Sequence, residues 1–275
     1  MIITLTGATG FIGSALAARL SAAGHKVQAY TLRSPQPLEP TDAVIHLAGE
    51  PVAQRWTPAA RRRIRESRVE GTRRLIAALP APPRVFICAS AVGFYGSRGD
   101  EILTETSARG TGFLADLCVE WERAAQDAQA RVVNLRTGVV LGSKGGALQR
   151  MLPVFRLGAG GRLGDGRQWM PWIHREDLLD LIDFALANAA INGPLNAVAP
   201  NPVTNQEFTA ALARALHRPV FLPVPAFALK AIFGEMSSVL LASQRVIPKA
   251  AQDAGFAFHH PELGPALQEI LRSNR

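Results

Sequence analysis

Tyrosine, lysine and cysteine are scarce in this chain, and each scarcity removes a chemistry. The tyrosines are Tyr30 and Tyr95, and the lysines are Lys26, Lys144, Lys230 and Lys249. No tyrosine is therefore followed one helical turn later by a lysine, and a proton relay built on that pair does not exist in any register. The two cysteines, Cys88 and Cys118, lie in apolar stretches without metal or redox spacing. They read as buried, reduced thiols of a cytoplasmic protein, not as a disulfide. No run reaches the roughly eighteen apolar residues of a membrane span, and the first strand begins at once without a basic-then-apolar leader. The six histidines form no spaced cluster, and adjacent His259 and His260 point apart in regular structure, so no metal is expected.

Anionic side chains are also in deficit, with 22 Asp and Glu against 30 Lys and Arg, a formal charge of +8. The densest basic stretch is Arg61-Arg62-Arg63-Ile64-Arg65, followed by Arg68, Arg73 and Arg74. Glu66 and Glu70 interleave with it, and Val69, Leu75, Ile76 and Leu79 form an apolar stripe, which makes it the wet face of an amphipathic helix. Without interleaved aromatics, nucleic acid is not an expected partner. The 275 residues, 48% of them hydrophobic, suffice for one large core and a small appended domain.

What is present is organised around the N-terminus. An apolar strand, Ile2 to Thr6, runs into Gly7-Ala8-Thr9-Gly10-Phe11-Ile12-Gly13 and then a helix-forming stretch. Gly7 permits the tight turn, Gly10 lets a pyrophosphate approach bare backbone, and Gly13 lets the helix pack on the strand. The helix start adds free N–H groups and a positive dipole. Strand, glycine turn and helix together indicate a dinucleotide site at Gly7, Thr9, Gly10, Phe11, Ile12 and Gly13.

The end of the second strand, Val27 to Thr31, decides which dinucleotide. An NAD site places an acidic residue there; this chain has Arg33, a cation suited to a 2′-phosphate, so NADP(H) is the expected cofactor. Only about ten residues then lead to the next strand, Asp42 to Gly49, too few for a crossover helix. A strand and helix are thus missing, and the second strand should be the sheet edge. Strand and helix patterns alternate from there on, which predicts an α/β fold: a Rossmann-like doubly wound parallel sheet with a small, mainly helical C-terminal domain. Residues 1–200 form the cofactor domain, with 142–176 reaching into a substrate cleft, and 201–275 form the cap, opened by a capping box at Thr204 and Glu207. The strand ends add Leu47, Ala48, Gly49, Ser90 and Thr137 to the cofactor contacts.

These motifs, with Val69-Glu70-Gly71-Thr72, Val92-Gly93-Phe94-Tyr95-Gly96 and Trp172-Ile173-His174-Arg175-Glu176-Asp177-Leu178, resemble the extended or atypical short-chain dehydrogenases/reductases of the NAD-dependent epimerase/dehydratase type. Gly49-Glu50-Pro51-Val52, Trp56-Thr57-Pro58 and the segment from Pro219 to Leu271 are similar to the YfcH-like and SDR39U1-like branch with its DUF1731-type C-terminal domain. The resemblance implies a Tyr-x-x-x-Lys pair, which is absent, and a neighbouring Ser or Thr, whose position falls on Ala91 with Ser90 beside it. Ser90 and Tyr95 are the substitute catalytic candidates. The stretch that reaches substrate in the family offers Arg167, Trp169 and His174 here, with Tyr95 opposite, and Met170 where an arginine commonly meets a pyrophosphate. His174 reads more readily as a hydrogen-bonded structural histidine than as an acid/base, and Trp172 more readily as core than as a stacking platform.

Two functions remain open. One is an NADP(H)-dependent oxidoreductase or epimerase-like enzyme for a small carbonyl or sugar-like substrate. The other is a non-catalytic NADP(H)-responsive regulatory or partner-binding protein. The family implies a homodimer paired through the helices that begin near Thr57 and Gly112.

Overall fold

Short apolar runs with β-branched residues become strands because both of their faces are covered by helices. In the computed structural model, which describes residues 1–220 and 223–272, six of them form one sheet: β1 (Ile2–Thr6), β2 (Lys26–Tyr30), β3 (Ala43–His46), β4 (Val85–Ala91), β5 (Arg131–Thr137) and β6 (Gly193–Ala197). Their order is β6-β5-β4-β3-β1-β2, and every pairing is parallel. The expected extended chain from Pro219 to Pro225 includes Phe221 and Leu222, and the expected cap ends at 273–275; those five positions lie outside the described residues.

Helices cover both faces. On one, α1 (Phe11–Ala22) contributes Leu16 and Leu20 to a core shared with Ile3, Leu5 and Ile45 of the sheet. On the other, α2 (Pro58–Ala78) and α3 (Phe113–Ala125) bring Leu75 and Trp121 against Val44 and Phe86. Thr57 opens α2 by accepting the Ala60 amide at 3.1 Å, with Pro58 at the first helical position, where its missing N–H costs nothing. Next come α4 (Gly146–Arg156) and α5 (Arg175–Ala187), the latter returning Leu178, Leu181 and Ile182 to the first core.

Residues 31–42 carry no strand and no helix, and β2 is the sheet edge as expected. The segment folds back under β1 instead. The Asp42 carboxylate accepts the Ile2 amide at 2.8 Å, Thr41 Oγ1 accepts the Thr4 amide at 3.1 Å, and Glu39 meets the Gln28 side chain of β2.

The C-terminal part begins with α6 (Asn205–Ala215), where Thr204 and Glu207 form the expected capping box. Then follow α7 (Ala226–Phe233), α8 (Ser237–Leu240), α9 (Lys249–Asp253) and α10 (Leu263–Arg272). Among the described residues this part has no separate core. Phe208 and Leu267 pack with Leu148, Phe155 and Trp172 of the N-terminal part, while Ala251, Phe256 and Phe258 join the main sheet's core. Short strand pairs, invisible as periodic patterns, add to this: 139–141 with 172–174 inside the N-terminal part, and 169–170 with 203–204 and 102–103 with 245–246 between the two parts.

Candidate cofactor and substrate site

The sheet order reverses between β1 and β3, and Thr6 stands in register with both Tyr30 and His46, so the three carboxyl ends are level. A crevice opens at such a point in any doubly wound sheet. The glycine turn fills its rim. Gly7 has φ +74°, and a Cβ there would stand 3.0 Å from the Leu47 carbonyl carbon; a Cβ on Gly13 would come within 2.1 Å of the Gly7 oxygen. Only glycine fits at both positions. Gly10 caps α1 without a side chain, Thr9 and Gly10 are exposed, and no acidic residue occupies the first turn. The first amides of α1 are thus left for an anion. Leu47, Ala48 and Gly49 follow β3 directly against Gly7, and exposed Arg33 stands just beyond β2. Thr137 ends β5 opposite Ala91 and Ala197.

Beneath the turn, Thr6 Oγ1 accepts the Ala48 amide at 3.2 Å and lies 2.6 Å from His46 Nδ1. Either atom can be the donor in that contact, and His46 Nε2 has no partner among the described residues. Burial first, and the Arg68 charge second, lower the His46 pKa to about 4. The ring is neutral at physiological pH and ties β1 to β3.

Phe11, the first residue of α1, is enclosed by residues 142–146. A Cβ at Gly142, Gly145 or Gly146 would lie 2.7, 2.6 or 2.9 Å from its ring, and the Arg175 guanidinium sits 5.6 Å from the ring centroid. The start of the 142–176 stretch packs on the first residue of α1 through bare backbone.

Ser90 and Tyr95 are buried. The Ser90 hydroxyl donates to Glu122 at 2.7 Å, and the Tyr95 hydroxyl donates to Asn196 at 2.6 Å while accepting from Arg136 at 3.0 Å. Arg136 and Glu122 form a bidentate pair at 2.8 and 2.9 Å, their side chains 5% and 12% exposed. Burial would lower the Arg136 pKa, but the Glu122 bond and charge outweigh it, and burial raises that of Tyr95. Strand alternation sends Ser90 toward α3, and a fully buried phenol must spend its hydrogen on a fixed acceptor. In this arrangement both hydroxyls are engaged by neighbouring side chains.

The other expected cleft residues also separate. Trp169 donates its indole N–H to Asp100 at 2.8 Å and carries the Arg245 guanidinium on its ring at 4.4 Å. Arg167 is exposed, with its amide bonded to Asp165 at 3.0 Å. His174 caps α5, accepting the Glu176 amide at 3.2 Å, and is buried.

His174 nevertheless has company that the sequence spacing hid. The His260 ring stacks on it at 3.8 Å, and ligand-type atoms of His174, His260 and Glu269 lie within 4.8 Å of one another. Each His260 nitrogen faces a carboxylate, Asp177 at 3.1 Å and Glu269 at 3.2 Å. Burial alone would lower the His260 pKa; the bond and charge of Asp177, joined by Glu269, raise it. For His174, burial and then the neighbouring His260 lower it. Because His174 Nδ1 accepts a backbone N–H, a neutral His174 ring carries its hydrogen on Nε2, and the acids facing both His260 nitrogens favour the protonated form of that ring.

A wider opening lies elsewhere. A cleft of about 620 Å³ is lined by Trp56, Arg61, Phe113, Lys230, Glu235 and Leu241, among others. Trp56 follows the segment leaving β3, Phe113 opens α3 after β4, and 230–241 roof it, so it lies beyond the carboxyl ends of β3 and β4. Trp56 and Phe113 meet edge to face at 5.0 Å, and Arg61, paired with Glu235, stands 5.0 Å from the Phe113 centroid. Sequence reasoning missed it because its walls come from segments far apart in the chain. The available signal was Trp56 and Phe113, two bulky aromatics at helix starts.

A family model described as the NAD dependent epimerase/dehydratase family matches residues 3–197. The chain belongs to this family. A second model, a domain of unknown function, DUF1731, matches residues 224–270. Among relatives, the epimerase family protein Mb2239 of Mycobacterium bovis is 45% identical, over 97% of this chain and 96% of its own. The crystal structure of human epimerase family protein SDR39U1 with NADPH superposes with TM-score 0.93 at 37% identity, covering 99% of both chains. A nucleoside-diphosphate sugar epimerase from Corynebacterium glutamicum gives TM-score 0.76 at 37% identity, covering 98% of this chain and 58% of that one. No helix among the described residues is long and apolar enough to cross a membrane.

Proposed function

We propose that this family member binds NADP(H) across the β1/β3 crevice and acts as an oxidoreductase or epimerase-like enzyme on a small carbonyl or sugar-like compound held in the Trp56–Phe113 cleft. The observation that carries the reading is the uncapped, exposed start of α1, held against the end of β3 by glycines that admit no side chain. The human relative crystallised with NADPH supports it. The cofactor, when bound, supplies hydride chemistry. The chain's own part is to hold phosphate at Gly10 to Gly13, to meet a 2′-phosphate with Arg33, and to shield the site with residues 142–146 and the 201–275 cap.

A second reading, a non-catalytic NADP(H)-responsive or partner-binding protein, draws support from Tyr95 and Ser90 being spent on fixed partners. Both readings predict cofactor binding, and a homodimer paired through α2 and α3 is compatible with either. In titration calorimetry NADPH should bind at least about tenfold tighter than NADH, worth about 1.4 kcal/mol. Arg33→Asp should erase that preference. Equal affinities in the unmodified chain would refute the assignment of NADP(H).

A further inference from the structure

The cleft under the 230–241 roof carries an unmatched positive charge. Arg61 of α2 and Lys230 of α7 both line it, and among the described residues Glu235 is the one carboxylate in the lining. Glu235 is taken by Arg61. Lys26 and Lys249 hold Glu39 and Asp253, whereas Lys230 holds no carboxylate among the described residues. The pair with Glu235 does not saturate the arginine either, since Arg61 Nε is buried without a hydrogen-bond partner among those residues. Turning the guanidinium toward an incoming acceptor would engage a donor that the pair leaves unused. The start of α3 adds to the same polarity. Gly112 caps that helix without a side chain, and Gly112 and Phe113 both line the cleft, while Asp116 of the first turn is engaged by Arg109.

The remaining walls are unsuited to a sugar. Trp56, Phe113 and Leu241 present apolar surface, and the neutral donors beside them are already committed. The Trp56 indole N–H donates to the Val52 carbonyl at 3.0 Å, and the Ser237 and Ser238 hydroxyls donate to the carbonyls of Gly234 at 2.6 Å and Glu235 at 2.7 Å. A hexose enclosed here would bury several hydroxyls against rings and a branched chain, with few partners for them. A flat apolar body loses no hydrogen bond on those walls and gains the area that it covers. The side-chain donors still free are both cationic, Lys230 Nζ and Arg61 Nε.

We propose that the cleft takes a carboxylic acid with a flat apolar body, its carboxylate held by Lys230 with Arg61 as second donor, its body against Trp56, Phe113 and Leu241. Arg61 belongs to the N-terminal part and Lys230 to the cap, so this anion bridges the two. Where the inference rests on the reading of this cleft as the substrate site, the carbonyl compound is an apolar oxo acid and not a sugar.

The test is titration calorimetry of the full chain with hydrocinnamate, its neutral isostere hydrocinnamamide, and phenyl glucoside. Hydrocinnamate should bind about fivefold tighter than the amide, a preference that shrinks as salt is added. Lys230→Met should bring the two within roughly twofold, and Lys230→Arg should restore the difference. Glu235→Gln, which releases Arg61, should tighten hydrocinnamate binding, a gain that a damaged fold does not produce. Equal affinities for acid and amide, tighter binding of the glucoside, a Lys230→Met chain that keeps the preference, or no binding of the acid at millimolar concentration would overturn the inference. Turnover is read apart from binding, with NADPH and either phenylpyruvate or phenylacetone. Charge-selective binding without oxidation of NADPH would remove the enzymatic reading and leave this inference standing; oxidation as fast with the ketone as with the oxo acid would do the reverse.

Discussion

At the residue scale, the crevice rests on a histidine that must stay neutral. His46 titrates near 4 in the folded chain but near 6.5 when unfolded. Between those values the unfolded state binds more protons, so stability falls as pH drops from about 6.5 toward 4. At pH 5 the loss from this one group is about 2 kcal/mol. Denaturant unfolding at pH 7.5 and pH 5 should show the unmodified chain losing about that much more than His46→Asn; equal losses would mean that the buried ring is protonated in the fold. His260 has the opposite sign. Its raised pKa contributes stability that is complete below its unfolded value and fades as pH rises through the folded one. The groups facing it are Asp177, Glu269 and His174, with Glu176 on the other side of His174 and His259 turned to Asp180 at 3.9 Å.

At the scale of elements, the short return through residues 31–42 makes β2 an edge strand, bonded along one side only. Hydrogen exchange of Val27 to Tyr30 should be faster than that of Ile3 to Thr6, which lies between two neighbours. Equal protection would mean that the return segment shields the edge as well as a strand does. The edge was legible in the sequence because chain length is a hard limit: about ten residues cannot make a crossover helix. The glycine turn was legible for a similar reason, since Gly7 and Gly13 obey local steric rules that no tertiary contact relaxes. The short pairings at 102–103, 139–141 and 203–204 were not, because two or three residues carry no period and find partners only after the chain has folded.

At the scale of the whole molecule, the prediction is that the protein does not epimerise or dehydrate UDP- or dTDP-sugars by the family's usual route. No tyrosine-lysine pair exists, and by the family resemblance Ala91 would stand at the neighbouring hydroxyl position and Met170, paired with Val203, where an arginine commonly meets a pyrophosphate. A missing general acid or base costs roughly 10²–10⁴-fold. Purified protein supplied with NADP(H) or NAD(H) and a panel of nucleotide-sugars should show little product and little change in cofactor absorbance. Turnover in the ordinary range of about 1–10³ per second would overturn this. Tyr95→Phe would then ask whether the buried phenol has become the proton donor.

The sequence by itself determined the parallel sheet and its edge, the glycine cradle, the cation beyond β2 and the absence of the catalytic pair, because each follows from local sterics, chain length or residue inventory. Tertiary structure decided the rest. The Arg136–Glu122 pair captured Tyr95 and Ser90, and His260 came to lie on His174 across 86 positions of chain. The open cleft formed where Trp56 and Phe113 meet under the 230–241 roof. Each depends on which buried donor finds which acceptor once distant segments pack, and spacing along the chain carries no record of that choice.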